Sequence, residues 1–279
     1  MRRTSRTSRT RKRFGQHFLE PAWVTKVIAA IQPRPDDVFI EIGAGRGALT
    51  IPLAAAVRGV VAFEIDRDLA ATLGARGVQG LHLVEKDFLD VTADHVNQTL
   101  AAAGLSDATE VRVAGNLPYS VASPIIFRLL DLHAEGVPLT DATLMLQHEV
   151  ADRVLAAPGS RDYGVLSILV QHCAEGRRLM NLPPGAFRPP PEVRSALVGL
   201  RFRAPAPPVL RPDVFASITR AMFTRRRKTV ANALRAYSPG GLTPAAALAE
   251  AGIAPARRPE TLTVEEVARL SDVYARVER

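Results

Sequence analysis

Short apolar runs alternate with longer segments of helical periodicity from residue 38 to residue 147, and this alternation constrains the fold more than any other feature. Five runs predict strands: DDVFIEIGAG, GVVAFEID, GLHLVEKDF, EVRVAGN and ATLMLQHE. Strands that alternate with helices form a mainly parallel, doubly wound sheet, with helices covering both faces. RRLMNL and SALVGLRFR predict two further strands that close the sheet. The predicted fold class is therefore α/β.

The composition changes at RAPAPPVLRP, residues 203–212, where three closely spaced prolines predict a linker. Only helical patterns follow, at residues 213–223, 226–237, 243–251 and 264–277. We therefore predict a first domain at residues 14–204 and a small all-helical domain at residues 205–279.

The net charge of +8 is concentrated at the two ends of the chain. Residues 1–13 carry +7 and residues 205–279 carry +5, whereas the part between them carries −4. Basic ends around a mildly acidic centre are typical of a protein that binds a nucleic acid. Residues 1–13 are predicted to be a disordered basic arm that contacts RNA; their composition also resembles an organellar transit peptide, but no apolar residue lies between Met1 and Phe14.

A membrane span is not predicted, because no apolar run approaches the roughly 18–20 residues that a bilayer requires. Cys173 is the only cysteine, which is typical of a reducing compartment. The chain is therefore expected to be cytoplasmic, and we expect a monomer.

The first predicted strand runs into EIGAGRGALT, which carries Gly43, Gly45 and Gly47. Glycines between a strand and a helix allow a tight turn and a close approach of the backbone to a ligand. The pattern also fits G-x-G-x-x-A, which is typical of dinucleotide sites, and alone it is compatible with a purely structural turn. We predict that Gly43 and Gly45 belong to a cofactor site.

Acidic residues stand at the ends of the next two predicted strands. Glu64, in FEID, suits the hydroxyl groups of a ribose, which both NAD and S-adenosylmethionine present at this place. Asp87, in EKDF, suits an adenine amine. The alternative role for such acids is to cap the following helix. Asp66 suits this role better than Glu64 does, and for Asp87 both roles remain open.

The fourth predicted strand ends in GNLPY, residues 115–119. Two acceptors aimed at the N–H bonds of an aromatic amine would favour a pyramidal nitrogen, whose lone pair can then attack a methyl group. The side chain of Asn116 and the main-chain carbonyl of Leu117 supply these acceptors, and Pro118 fixes the chain direction. Tyr119 supplies a stacking face, which contributes about 1–3 kcal/mol per base. A turn with a core tyrosine is the alternative interpretation.

Metal chemistry is not predicted, because the six histidines show no paired ligand spacing and one cysteine cannot form a zinc site. A phosphate-binding G-x-x-x-x-G-K-[ST] loop is also missing from the sequence. The basic run Arg225, Arg226, Arg227 and Lys228 is predicted to bind the RNA backbone, with a solvated helix start as the alternative.

Taken in order, these motifs resemble the small-subunit (16S) rRNA adenine N6,N6-dimethyltransferases, a family that methylates two adjacent adenines near the 3′ end of that RNA. The resemblance begins at KRFGQHFL, residues 12–19, and includes the glycine turn, FEID and GNLPY. It continues through residues 147–171, 187–198 and 223–234. It implies a Rossmann-like, S-adenosylmethionine-dependent methyltransferase domain followed by a small C-terminal all-helical domain. The implied partner is small-subunit rRNA in an assembling small ribosomal subunit.

The resemblance also implies roles for individual residues. His17 and Leu19 match positions that border the methionine part of the cofactor, and Gly43 matches the glycine nearest to it. Glu64, Asp87 and Asn116 match the remaining cofactor contacts. Residues 116–119 match the target pocket, and Phe187 matches an aromatic residue that sandwiches the adenine against Tyr119. His148 stands where family members often carry a lysine, which leaves one RNA contact in doubt.

Three alternatives remain at this point. A large-subunit rRNA adenine methylase of the macrolide-resistance type usually carries isoleucine at the position of Leu117, and the FRPPPEV block fits the small-subunit family better. A ribosome assembly factor would act mainly by binding. A dehydrogenase would bind NAD at the glycine turn.

Overall fold

The computed structural model of the protein describes residues 17–225, 227–237 and 241–277. Nine strands are found there: β1 Phe18–Leu19, β2 Val38–Ile42, β3 Gly59–Glu64, β4 Leu81–Glu85, β5 Val111–Asn116, β6 Leu139–Gln147, β7 Ala174–Leu182, β8 Phe187–Arg188 and β9 Ser195–Phe202. The helices up to β7 are α1 Pro21–Ile31, α2 Thr50–Ala54, α3 Arg67–Gly74, α4 Ala93–Ala102, α5 Ala122–Ala134, α6 His148–Leu155 and α7 Val165–Cys173. Those after β9 are α8 Pro212–Phe223, α9 Val230–Ala233, α10 Pro244–Glu250 and α11 Val264–Ala275.

Seven strands form one sheet in the order β4-β3-β2-β5-β6-β9-β7. The pairs β2–β3, β3–β4, β2–β5 and β5–β6 are parallel, and β6–β9 is antiparallel. Every residue of β2 and β3 is buried, as expected for central strands that helices cover on both faces. This sheet confirms the predicted α/β, Rossmann-like fold class and all seven predicted strands.

The order of the strands reverses between β2 and β5. From β2 the chain proceeds outward to β3 and β4, whereas β5 starts on the other side and continues to β6. Ligands of open parallel sheets bind outside the carboxyl ends of the strands at such a reversal. A ligand site is therefore expected beside the residues that follow β2 and β5.

A small second sheet, which the sequence patterns do not predict, joins β1 to β8. The two strands run antiparallel, with Phe18 opposite Arg188 and Leu19 opposite Phe187. Arg188 Nε also donates to Glu20 Oε1 at 2.8 Å. This pairing attaches the start of the described chain to the segment before β9.

The chain divides into two compact units that differ from the predicted domains. Of the described residues, one unit comprises those up to Ala151 together with Arg177–Phe202, and the other comprises Asp152–Gly176 together with those from Arg203 onward. Residues 152–176, which the predicted boundary at 204/205 places in the first domain, thus belong to the second unit. The reason is packing of α7 on α8, where the rings of His172 and Phe215 lie 4.2 Å apart between centroids.

The second unit has its own apolar core. Buried side chains from α7, α8 and α11 contribute to it, including Ile168, Ile218 and Leu270. Thr263 caps α11 by accepting a hydrogen bond from the Glu266 backbone, and the Glu266 side chain accepts one from Thr263 N in return. None of the helices within the described ranges is long and apolar enough to cross a membrane.

Candidate active site

A cavity of ≈ 300 Å³ lies at the carboxyl ends of β2, β3, β4 and β5. Ten of the eleven residues that the sequence predicts for cofactor and target binding line it: His17, Leu19, Gly43, Gly45, Glu64, Asp87, Asn116, Leu117, Pro118 and Tyr119. These residues are up to 102 positions apart in the chain, and the fold brings them together at one place. We call this space the cofactor cavity.

The glycine turn after β2 needs the backbone freedom of glycine. Gly43 has φ = 78° and Gly47 has φ = 81°, which are left-handed values that other residues rarely adopt. At Gly47 an added Cβ would also lie 2.6 Å from the Leu73 side chain. A side chain at this position would therefore be strained and would displace Leu73, and the neighbouring residues of the turn, from Gly43 to Arg46, line the cavity.

Glu64 is buried at the end of β3, with 4% of its surface exposed. Its Oε2 accepts a hydrogen bond from Gly45 N at 2.7 Å, and its Oε1 accepts one from Asp66 N at 2.8 Å. Burial raises the pKa of Glu64, while these two backbone donors act in the opposite direction. Each carboxylate oxygen has further lone pairs, so the group can still accept from a ribose diol.

The two aspartates act as helix caps, as the alternative interpretation had it. Asp66 accepts from Asp68 N and Leu69 N at the start of α3. Asp87 Oδ1 accepts from Leu89 N at 3.0 Å and thereby caps a short 3-10 turn. Asp87 also lines the cofactor cavity, so capping and ligand contact are compatible in this residue.

The amide of Asn116 is oriented by the N-terminal segment. Its Nδ2 donates to the main-chain carbonyl of His17 at 2.7 Å. With the NH2 side assigned by this bond, Oδ1 becomes the acceptor side of the amide. A carbonyl that is fixed in this way can receive an N–H from a ligand without first having to rotate.

Tyr119 is held by a hydrogen bond at its far end. Its hydroxyl lies 2.7 Å from Ser195 Oγ, and the His17 ring stacks on the tyrosine with centroids 5.4 Å apart and planes at 26°. Burial raises the pKa of Tyr119, and the bond to Ser195 acts against this. The ring is thus fixed in orientation, and an imidazole covers one of its faces.

Phe187 is not where a base-sandwiching residue would be expected. It pairs with Leu19 through β1 and β8, is 1% exposed, and belongs to the same apolar core as Leu53 and Leu197. The segment around it is anchored by main-chain bonds, since Ala186 O accepts from Glu20 N. As placed, Phe187 offers no exposed face for stacking, and its predicted role in the target pocket stays a prediction.

The sequence patterns missed Glu41, a carboxyl group in the wall of the cofactor cavity. It lies inside β2 and is 2% exposed, and burial, together with the charge of Glu64, raises its pKa to about 7 against the opposing effect of the Thr50 hydroxyl. The signal was available, because a charged residue inside the apolar run DDVFIEIGAG is unusual.

The predicted RNA-binding run lies in a turn rather than in a helix. Arg225, Arg227 and Lys228 are exposed between α8 and α9, and α9 begins only at Val230, after its N-cap residue Thr229. The correction to the predicted helix 226–237 follows from this cap. Arg226 and the predicted arm at residues 1–13 lie outside the described residues.

The cavity fits S-adenosylmethionine. Two acidic side chains, Glu64 and Asp87, supply hydrogen-bond acceptors in its wall, a glycine-rich turn borders it, and the rings of Phe63 and Phe88 provide apolar wall. One buried oxygen, Oε2 of Glu41, has no hydrogen-bond partner among the described residues, as expected of a wall that a polar ligand completes. Fold and site together define the class of S-adenosylmethionine-dependent methyltransferases.

Comparisons with known proteins give the family. The family model of ribosomal RNA adenine dimethylases matches residues 7–276. The ribosomal RNA small subunit methyltransferase A of Xanthomonas campestris pv. campestris is 40% identical over 94% of this chain and 95% of its own length. That of Nitrosococcus oceani is 40% identical over 97% and 98%. The chain therefore belongs to the ribosomal RNA adenine dimethylase family.

Solved structures agree with the fold. A dimethyladenosine transferase from Plasmodium falciparum superposes with a TM-score of 0.71 at 23% identity, over 91% of this chain and 96% of that one. The 23S rRNA methyltransferase ErmE superposes with a TM-score of 0.62 at 26% identity, over 92% and 98%. The chain is an S-adenosylmethionine-dependent rRNA adenine dimethyltransferase, and the dehydrogenase alternative is wrong.

Proposed function

We propose that this chain methylates the exocyclic amines of two adjacent adenines near the 3′ end of small-subunit rRNA, while the subunit is being assembled. The observation that carries the proposal is the corner formed by residues 116–119, where a preoriented amide and a stacking ring border the cofactor cavity. The names of the relatives in Xanthomonas and Nitrosococcus support the small subunit rather than the large one.

The reaction needs an adenine whose amine is made nucleophilic and held in line with a methyl group. The bound cofactor supplies that methyl group on a sulfonium. Asn116 Oδ1 and the main-chain carbonyl of Leu117 accept the two N–H bonds, which localises the lone pair on nitrogen. As the new C–N bond forms, the C–S bond breaks and the amine releases a proton to solvent, so a strong base is not required.

Entry of the base involves Tyr119 and His17. A purine reaches the cavity only after it has left the helical stack of the RNA. It then replaces the His17 imidazole on the covered face of Tyr119. The stacking of the His17 ring on Tyr119, with centroids 5.4 Å apart, supports this exchange of one flat aromatic group for another.

The remaining cofactor residues act through orientation. Glu64 accepts from the ribose hydroxyls and Asp87 from the adenine amine, while Gly43 and Gly45 let the backbone approach the methionine part. His17 and Leu19 close over that part. Complete modification of two adenines needs four transfers, so the cofactor product has to leave between rounds.

RNA outside the cavity is bound by basic residues. Arg225, Arg227 and Lys228 are exposed, which suits contact with phosphates. We assign the same role to Arg226 and to the basic arm at residues 1–13. We also propose that the chain is cytoplasmic and acts as a monomer.

The test is mass spectrometry of small-subunit rRNA from cells with and without the protein. Loss of dimethyladenosine in its absence, restored by the natural chain but not by Asn116→Ala, is the expected result. A variant at a residue that does not line the cavity, Glu250→Gln, serves as the matched control and should restore the modification. Unchanged dimethyladenosine in cells that lack the protein would refute the proposal.

The same cells separate the two other readings of the protein. A large-subunit methylase would modify purified large-subunit RNA and leave immature small subunits unmodified. A factor that acts only by binding would keep its cellular role in the Asn116→Ala variant, and growth together with subunit profiles would show this.

A further inference from the structure

Val193 is an exposed apolar side chain whose position, rather than its exposure, points to a role. It is 44% exposed and is one of four large apolar side chains that the described ranges leave open to solvent. Single exposed apolar residues are ordinary on protein surfaces. Val193, however, stands in the chain just before a residue that contacts the Tyr119 ring, and it does not line the cofactor cavity. The reaction described above leaves it unused.

The segment that carries Val193 is attached at both ends to the rings of the proposed target pocket. His17 Nδ1 donates to Pro189 O at 2.7 Å, and the His17 ring stacks on Tyr119. At the other end, Ser195 Oγ lies 2.7 Å from the Tyr119 hydroxyl. Val193 precedes Ser195 by two residues, so their Cα atoms lie within about 7 Å of each other. Val193 therefore borders the place where the adenine is proposed to enter.

This segment, residues 189–195, is called the rim segment below, and its backbone is well fixed. It begins with three successive prolines, whose rings restrict φ, and the third, Pro191, is buried. Near its end, Arg194 O accepts a hydrogen bond from His148 N at 3.0 Å, and β9 begins at the next residue. A side chain on such a backbone loses little conformational freedom when it enters a partner, so insertion costs less than it would from a loose loop.

The charges of the rim segment favour contact with a base over contact with a phosphate. Glu192 and Arg194 flank Val193, are both exposed, and offset each other. Arg188, just before the segment, forms an ion pair with Glu20 at 2.8 Å. A locally neutral surface offers little net attraction to phosphates, although the chain as a whole carries +8. The apolar faces of nucleobases can pack against an aliphatic side chain in the absence of any charge.

Extrusion of the target adenine creates a space that suits such a side chain. The adenine has to leave its stack before its amine reaches the pocket, and unstacking costs free energy. The vacated position is bounded by the flat faces of the neighbouring bases. Proteins that separate stacked bases insert apolar side chains between them, which replaces part of the lost stacking. Val193 is the apolar side chain that the rim segment exposes beside the pocket.

We propose that Val193 inserts into the gap that the target adenine leaves in the rRNA and thereby stabilises the extruded state. This inference rests on the proposed function, because it requires an rRNA adenine that stacks on Tyr119. Val193 is then a positioning residue, since it touches neither the cofactor nor the reacting amine. It acts by raising the fraction of docked RNA whose adenine occupies the pocket.

The test is single-turnover methyl transfer to small subunits that lack the modification, at increasing concentrations of the full chain up to saturation. Val193→Ala should lower the saturating rate by about 4- to 15-fold, as expected for the loss of one to two buried methyl groups. The half-saturating concentration should change by less than about twofold, because insertion follows docking and most docked particles still hold the adenine in its stack.

Two further substitutions separate the shape of the side chain from its apolar character. Val193→Ile keeps an apolar side chain and should keep the saturating rate within about twofold. Val193→Thr keeps the shape but introduces a hydroxyl group, and it should resemble Val193→Ala. The matched control is Val277→Ala, which makes the same change at a residue that is 38% exposed in the second unit and should leave the rate unchanged.

An unchanged saturating rate in Val193→Ala would overturn the inference. So would a raised half-saturating concentration at an unchanged saturating rate, because Val193 would then be an ordinary docking contact. Calorimetry with S-adenosylhomocysteine gives a further readout: its affinity should be equal in Val193→Ala and the natural chain, and a loss would assign Val193 a structural role instead. Failure of the natural chain to methylate these particles would overturn the proposed function itself.

Discussion

The Tyr119 ring allows a quantitative test of base stacking. Tyr119→Ala removes the ring on which we propose that the target adenine stacks, and stacking of one base contributes about 1–3 kcal/mol. Since 1.4 kcal/mol is a factor of ten, kcat/KM for the RNA should fall by about 5- to 150-fold from this term alone. Tyr119→Phe keeps the ring and should therefore keep kcat/KM within about threefold.

The free energy of unfolding distinguishes the contribution of the Tyr119 hydroxyl from that of its ring. Tyr119→Phe leaves Ser195 Oγ, on a residue that is 0% exposed, without its partner at 2.7 Å. An unsatisfied buried polar group costs about 1–3 kcal/mol, whereas replacing both partners with apolar groups is close to neutral. The double variant Tyr119→Phe/Ser195→Ala should thus regain most of the stability that Tyr119→Phe loses.

The assay is single-turnover transfer of a tritiated methyl group to small subunits that lack the modification, measured at several particle concentrations. Urea unfolding of the same variants gives their free energies of unfolding. If Tyr119→Phe and Tyr119→Ala lost kcat/KM equally, the ring face would not be the contact for the base, and the hydroxyl would be the functional group instead.

Three further outcomes are expected. Gly47→Ala should lower the free energy of unfolding by about 1–3 kcal/mol through its positive φ, and further through a clash with Leu73. Gly104→Ala, where φ is 72° and the space around the residue is open, should show only the contribution from φ. An equal denaturant midpoint for both variants would refute the clash. Because the folded pKa of Glu41, about 7, exceeds the ordinary 4.5, its folded form retains a proton that the unfolded chain releases, so stability falls as the pH rises through this range. Glu41→Gln should leave Tm unchanged at pH 4 and raise it at pH 8, and a constant difference would refute this. Lys228→Ala should reduce the salt dependence of RNA binding, log Kd against log salt, by about 0.7–0.9, as for one lost phosphate contact, and an unchanged slope would exclude the contact.

The sequence predicts the large sheet well, because its strands carry their own signals. Short apolar runs that end near Gly43, Glu64, Asp87 and Asn116 indicate both the strands and the edge at which they end. The pair β1–β8 was not predictable, since strands of two residues show no periodicity. Only the tertiary structure tells that Leu19 lies beside Phe187.

The motifs predict which residues line the cavity, but not how those residues are held there. Motif spacing places Asn116 and Tyr119 in a cavity, but it cannot show that the main chain of His17 orients the amide or that its ring covers the tyrosine. Burial of Phe187 and the assignment of residues 152–176 to the second unit depend on packing between distant segments. Such contacts leave no local pattern in a single sequence.

The bond from Gly45 N to Glu64 Oε2 has a consequence for turnover. It spans 19 positions of the chain and ties the glycine turn to the next strand through a carboxylate that lines the cofactor cavity. This hydrogen bond fixes the conformation of the glycine turn before a nucleoside binds. Exchange of spent for fresh cofactor can then proceed without rebuilding the turn.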